Sequence, residues 1–399
     1  MAITEVRSGE LAIHGGEPVR GADDPIPLVF PRAIAPAAKE NVARLLDSGF
    51  TLDMIGEYER AFARAMGTKH AVALSNCTDA LHAVLAAVGV GPGDEVIASP
   101  ITDYGSVKGI FVQGAKAVFP DVDVRTGLIT AKEIAKVITP RTKAIIAVHM
   151  YGHVCDMDPI VELARKHDVL LIEDVCQAPF ATYGTRTAGT IGDVGCYSFE
   201  AEKHISTDHG GMAITDDGDL ARAIRYIAHD RGARPAERGT RVHETIGHAF
   251  RYGHLEAAVG LAQLPAVPEQ NRKRVELAKR LSAKLEEIDG ITPPFVPSNT
   301  SHVHWLYHFR IATEAFRVDT GEFIDALNAE GLRCGPAMYY LIPYSHTFME
   351  DREAILESLP NAREHLSNTV RWPWTDKYSD ADIEDMAAIV AKVAGAYRN

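Results

Sequence analysis

Between residues 71 and 217, short apolar runs alternate with stretches in which apolar residues recur at helical spacing. The runs are AVAL (71–74), EVIAS (95–99), KAVF (116–119), KAIIAVHM (143–150), VLLIED (169–174), VGCYSF (194–199) and GMAIT (211–215). Several are apolar without alternation, as strands covered on both faces are. Between them, TDALHAVLAAVGV follows the capping residue Asn76, and DPIVELARKHD follows Met157. Repeated strand–helix–strand units predict an α/β fold with a mainly parallel seven-stranded sheet.

After about residue 265 the pattern changes. NRKRVELAKRLSAKLEEI predicts one long helix with Val275, Ala278, Leu281, Leu285 and Ile288 on a single stripe. PPFVPSN, a strand-like HWLYHFRIA and the helical GEFIDALNAEG follow. The expected division is an N-terminal arm (1–24), a large α/β domain (25–265) and a smaller C-terminal α+β domain (266–399). The boundary is placed at a turn containing Pro265 and Pro268. No internal repeat or low-complexity block interrupts this order.

Composition narrows the partners. A chain of 399 residues with 46% hydrophobic content can bury a large core. Its net charge of -13 and pI near 5.7 work against nucleic acid and anionic membrane surfaces, so a small-molecule partner is expected. Cys77, Cys155, Cys176, Cys196 and Cys334 form no C-x-x-C pair, which fits a reducing compartment. No apolar run reaches the roughly 18 residues of a membrane helix, and MAITEVRSGELAIHGGEPVR lacks a signal-peptide core. We therefore expect a cytoplasmic protein that does not engage a membrane.

Three places carry candidate chemistry. Glu173 and Asp174 end a buried strand, where open α/β sheets form their ligand crevice. A carboxylate there either caps or pairs locally, or faces a cation such as a protonated pyridine nitrogen. Lys203 follows the VGCYSF strand and precedes Gly210-Gly211, with Ser198, Ser206 and Thr207 around it. Most lysines are only solvated, but one set outside sheet strands can form an imine with a bound aldehyde. The strand-to-helix turn Ser75-Asn76-Cys77-Thr78-Asp79 offers hydroxyls and free amides to a phosphate, although such residues also cap ordinary helices. Pyridoxal 5'-phosphate (PLP) requires this combination of lysine, ring-nitrogen acid and phosphate cradle.

Other features are read more plainly. His204 beside Lys203 is either a proton relay or a structural histidine. Arg222, Arg225, Arg231, Arg234, Arg238 and Arg241 form a charge run that is commonly a solvated loop, but that can grip a substrate phosphate or carboxylate. His149 and His153 are separated by a strand end and Gly152, which breaks the helix an H-x-x-x-H metal pair needs, so no metal is expected.

The strings SNCTDALHAVLAAVGVGPGDEVI, AVFPDVD, VHMYGHVCDMDPI, LLIEDVCQAPFA, GDVGCYSFEAEKH and GGMAITDD together resemble the DegT/DnrJ/StrS family of PLP-dependent sugar aminotransferases, of fold type I. The similarity continues through IGHAFRYGHLEAAVGLAQL and weakly to the C-terminus. The resemblance implies Lys203 as the covalent cofactor anchor, Asp174 on the pyridinium nitrogen and Gln177 near the phenolic oxygen. Thr78, Asp79 and Ser198 would surround the phosphate, and Asn76 and Cys77 of the same turn are further cofactor-binding candidates together with Tyr104. It also implies glutamate or glutamine as amino donor, a keto sugar or keto-cyclitol as acceptor in natural-product or surface-sugar biosynthesis, and a homodimer with shared sites.

The chain departs from the family pattern at four places. Asn76-Cys77-Thr78 replaces serine-glycine-threonine. Asp103 occupies the position of a stacking aromatic ring, and Tyr104 is expected to stack in its place. His209 replaces an acid, and Ala249 an asparagine from the neighbouring subunit. Substrate-side candidates are His204, His209 and Arg251. A PLP-dependent epimerase or dehydratase is the nearest alternative, although related dehydratases carry histidine at the position of Lys203. A non-catalytic regulator keeping the fold is the second. An NAD-dependent dehydrogenase lacks its G-x-G-x-x-G.

Overall fold

The computed structural model describes residues 10–229, 242–243, 245–337, 342 and 348–399. Each of the seven expected apolar runs forms a strand: β1 (His70–Leu74), β2 (Glu95–Ala98), β3 (Lys116–Val118), β4 (Thr142–Val148), β5 (Leu170–Asp174), β6 (Val194–Ser198) and β7 (Gly211–Thr215). They assemble into one seven-stranded sheet in the order β1-β7-β6-β5-β4-β2-β3. β7 runs antiparallel to β1 and β6, and the other pairings are parallel. Residues Ala144 to Val148 of β4 are all buried, which explains a run without alternation.

Two helices after strands frame the crevice. Asn76 caps α1 (Cys77–Ala87), its side chain accepting from Asp79 N. Asp103 caps α2 (Tyr104–Val112) by accepting from Gly105 N.

The long helix begins earlier than its stripe predicts. α3 spans Val267–Leu285, with Pro268 in its first turn, where a missing N–H is harmless. Pro265 lies in the single helical turn Leu264–Ala266 that leads into it, so the expected boundary turn is helical. The buried stripe is Arg274, Leu277, Ala278, Leu281 and Leu285, and Val275 lies at its edge.

A second sheet contains β8 (Ile291–Thr292), β9 (Leu306–Ile311), β10 (Gly335–Pro336) and β11 (Thr369–Pro373), in the order β8-β9-β11-β10, all antiparallel. Helices α4 (Thr320–Ala329) and α5 (Asp380–Tyr397) complete this unit.

Two hydrophobic cores result, and neither follows one cut in the chain. The core around the large sheet takes in Val303, Trp305, Leu306, Ile342, Leu359 and Ala362 from the C-terminal part. The second core includes Leu11 and Ile26. The N-terminal segment is fixed there by Arg20, which pairs with Asp382 and Asp385 of α5. Among the described residues, no helix is long and apolar enough to cross a membrane.

Candidate active site

The carboxyl end of β5 separates two neighbouring acids, because successive strand residues face opposite sides. Glu173 is fully buried and points into the loop after a small separate hairpin (Thr182–Tyr183 and Arg186–Thr187), accepting from the amides of Gly189, Ile191 and Gly192 at 2.7–2.8 Å. His149 Nε2 lies 2.9 Å from the same carboxylate. Burial alone would raise this acid, but His149 and the amides hold it below the usual carboxylate range. Glu173 is thus a structural anchor for the loop.

Asp174 faces a cavity of about 440 Å³. Its Oδ2 accepts from Ser106 Oγ at 2.7 Å and its Oδ1 from the Cys176 amide at 3.1 Å. Lys203 lines the same cavity and is 9% exposed. It sits on the excursion between β6 and β7, closed by Phe199 N to Gly210 O at 2.8 Å and Thr207 N to Phe199 O at 2.9 Å. Its Nζ lies 3.7 Å from the centroid of the Trp305 ring, and the Trp305 indole N–H donates to Glu202 O at 2.9 Å.

Opposite, the first turn of α1 brings Asn76, Cys77 and Thr78 to the cavity wall. The amides of Cys77 and Thr78 belong to the helix start, where no intrahelical acceptor exists. Ser198, Gln177, Asp103 and Gly105 complete that wall. The backbone beneath is tightly fitted. A Cβ on Gly211 would fall 2.4 Å from the Asn76 carbonyl carbon, and one on Gly105 would fall 2.4 Å from Thr78 Oγ1. This donor set fits PLP: an amine for its aldehyde, a buried carboxylate for its ring nitrogen, and hydroxyls with helix-start amides for its phosphate.

Several expected residues lie elsewhere. The Asp79 carboxylate turns to Ser75 Oγ and Asn76 Nδ2 and does not line the cavity, which spares a bound phosphate a like charge. Tyr104 starts α2 and is 39% exposed, since Asp103 takes the cap position and itself reaches the wall. His204 faces away from Lys203. Its Nε2 lies 3.2 Å from Val303 O, and its ring lines a separate cavity with Arg32 and Arg274, where burial pushes it well below the ordinary histidine value.

His209 is exposed beside Asp208, and exposed Arg251 bridges Leu74; neither lines the cavity. Arg222 pairs with Asp219 and Arg225 with Glu59, while Arg231, Arg234, Arg238 and Arg241 lie outside the described residues. His149 turns to Glu173, whereas His153 stacks on His302 at 5.2 Å, so the two do not converge.

Sequence reasoning missed Thr102, Ser106 and Trp305. Ser106 and Thr102 stand four apart at a strand-to-helix turn, a spacing that places both on one face. Nothing local to Trp305 connects it with Lys203, about a hundred residues away.

The model of the DegT/DnrJ/EryC1/StrS aminotransferase family matches residues 33–391. The chain belongs to this family. Among its relatives, the GDP-perosamine synthase of Caulobacter vibrioides is 40% identical over 301 residues, 74% of this chain and 80% of the relative. The spore coat polysaccharide biosynthesis protein SpsC of Bacillus subtilis is 34% identical over 364 residues, 89% and 93% of the two chains. The solved aminotransferase from Psychrobacter cryohalolentis superposes with a TM-score of 0.83 at 29% identity, covering 92% of this chain and 99% of that one. Family membership makes the protein an aminotransferase, and its fold is that of the fold type I enzymes.

Proposed function

We propose that this aminotransferase uses PLP to move an amino group from glutamate or glutamine to a keto sugar or keto-cyclitol. The observation that carries the reading is the meeting of Lys203, Asp174 and the α1 turn around one cavity. Relatives named for GDP-perosamine and for a spore coat polysaccharide support a sugar acceptor.

When bound, PLP supplies an aldehyde and an electron-withdrawing ring. Lys203 Nζ would hold the aldehyde carbon at rest. Freed by the amino donor, Nζ would be the base that takes a proton from the donor's α-carbon and gives it to the former aldehyde carbon on the other side of the nitrogen. Asp174 would accept the ring N–H, with Ser106 and the Cys176 amide fixing its orientation. Asn76, Cys77, Thr78 and Ser198 would hold the phosphate, and Gln177, whose Oε1 accepts from Tyr151 N at 2.6 Å, would lie near the ring's phenolic oxygen. The Trp305 face steadies the ammonium of Lys203.

We further infer a cytoplasmic homodimer with shared sites, a large unit over 25–265 and a small one over 266–399.

The test is a visible absorption spectrum of the purified protein with PLP, before and after L-glutamate or L-glutamine. A yellow band that bleaches with the donor, and is absent in Lys203→Ala, is expected. Normal turnover in Lys203→Ala would sink the assignment.

A further inference from the structure

Cys77 replaces a residue without a side chain in the family pattern, and the phosphate cradle makes no use of its thiol. We propose that Cys77, Asp174 and Cys176 form a binding site for a thiophilic divalent cation, zinc or cadmium, in the cofactor-free protein, and that the cation and PLP compete for Asp174. The second half of this proposal rests on the cofactor reading above; the first does not.

One ligand atom from each of the three side chains lies within 4.8 Å of the others. A tetrahedral ion with metal–sulfur bonds of about 2.3 Å needs sulfurs roughly 3.8 Å apart, so an inward movement of about 1 Å closes the site. Side-chain rotation supplies that much. The frame is fixed: Cys77 begins α1, and the Cys176 amide donates to Asp174 Oδ1 at 3.1 Å. Asp174 keeps free lone pairs beside its bonds to Ser106 and Cys176, since an ionised carboxylate offers about four acceptor positions.

The donor set decides the kind of ion. Two thiolates and one carboxylate favour zinc or cadmium over magnesium or calcium, which prefer oxygen. The fourth position opens on the cavity and would hold water, as sites with three protein ligands do. Cys176 is only half-buried, which gives the ion a path inward.

Binding breaks two S–H bonds and forms two metal–sulfur bonds, releasing two protons to solvent. Because both thiols must give up their protons to bind the ion, affinity should climb with pH. Lys203 is a nearby positive charge that opposes the ion, and it has the Trp305 face to retreat to. No local motif announces the site, because Cys77 and Cys176 are remote in sequence.

The experiment titrates cadmium into the full-length protein, stripped of PLP and kept reduced, and reads sulfur-to-cadmium charge-transfer absorbance. One equivalent per chain is expected. Cys77→Ser or Cys176→Ala should each weaken binding at least about tenfold, whereas Cys334→Ser should not. Absence of the band in the unsubstituted protein overturns the proposal, as does a band indifferent to both substitutions. PLP should displace the ion. A band lost in Cys77→Ser but untouched by PLP upholds the metal site and overturns the competition at Asp174.

Discussion

Ser106 gives its hydroxyl proton to Asp174 Oδ2 at 2.7 Å, so the contact of 2.7 Å between Thr102 Oγ1 and Ser106 Oγ has Thr102 as donor. This relay fixes the orientation of the carboxylate. Asp174→Asn should lower kcat at least about a hundredfold, about 2.7 kcal/mol of transition-state stabilisation. Ser106→Ala should cost about 1.5–3 kcal/mol, the usual worth of a hydrogen bond to a charged group. Steady-state kinetics and PLP titration check both, and a silent Ser106→Ala would show that the relay does not position Asp174.

Gly211 tests the phosphate wall. Its missing Cβ would fall 2.4 Å from the Asn76 carbonyl carbon and 2.6 Å from Cys77 N, so Gly211→Ala must push back the start of α1. The expected outcome is weaker PLP binding, by tenfold or more (about 1.4 kcal/mol), with the chain still folded. Fluorescence titration of PLP reads this directly.

Trp305 contacts Lys203 from the C-terminal part of the chain. A desolvated cation–π contact is worth about 0.5–2 kcal/mol, so Trp305→Leu should reduce kcat roughly two- to thirtyfold, and Trp305→Phe should recover most of it. The pH at which the bound-cofactor band changes should move in the leucine variant and stay in the phenylalanine one. A shift common to both would point to packing alone.

A seam of buried histidines predicts acid sensitivity. His153 stacks on His302 at 5.2 Å, His302 on His304 at 3.8 Å, and His308 lies 5.7 Å from His302 and 6.2 Å from His365. Burial pushes all five down, to about 4 for His153 and His365 and about 3 for His304. They are neutral when folded, while in the unfolded chain they take up protons below about 6.5. Their contribution is therefore complete above that value and is lost as pH falls toward 4, on the order of 3 kcal/mol for each group moved that far. Thermal unfolding should come clearly earlier at pH 5 than at pH 7.5. An equal Tm at the two values would refute the seam's role.

Strands and helices were legible because burial on both faces of β4 and β5 leaves uninterrupted apolar runs, and because Asn76 is a strong cap. That Lys203, Asp174 and Thr78 line one cavity was legible because each sits at a fixed place relative to a strand end. Side-chain direction was not. Glu173 and Asp174 look alike in sequence, and only the pleat separates them. Tyr104 was expected to stack because Asp103 was not recognised as a cap. The sequence left His204 as either a proton relay or a structural histidine, and its contact with Val303 O on the side away from Lys203 favours the structural reading. Each core also borrows residues from the other end of the chain, an exchange that the apolar pattern alone does not display.

That borrowing has a consequence at residues 302–305. Val303 N donates to Gly152 O at 2.9 Å and Trp305 N to Tyr151 O at 2.8 Å, so this segment is laced to the end of β4 before the chain enters β9. The Lys203 cavity therefore cannot be inherited with the first 265 residues alone. A chimera that exchanges the C-terminal part for a relative's must carry a matching ring and matching lacing, which makes the catalytic pocket, and not either domain, the smallest exchangeable piece of this enzyme.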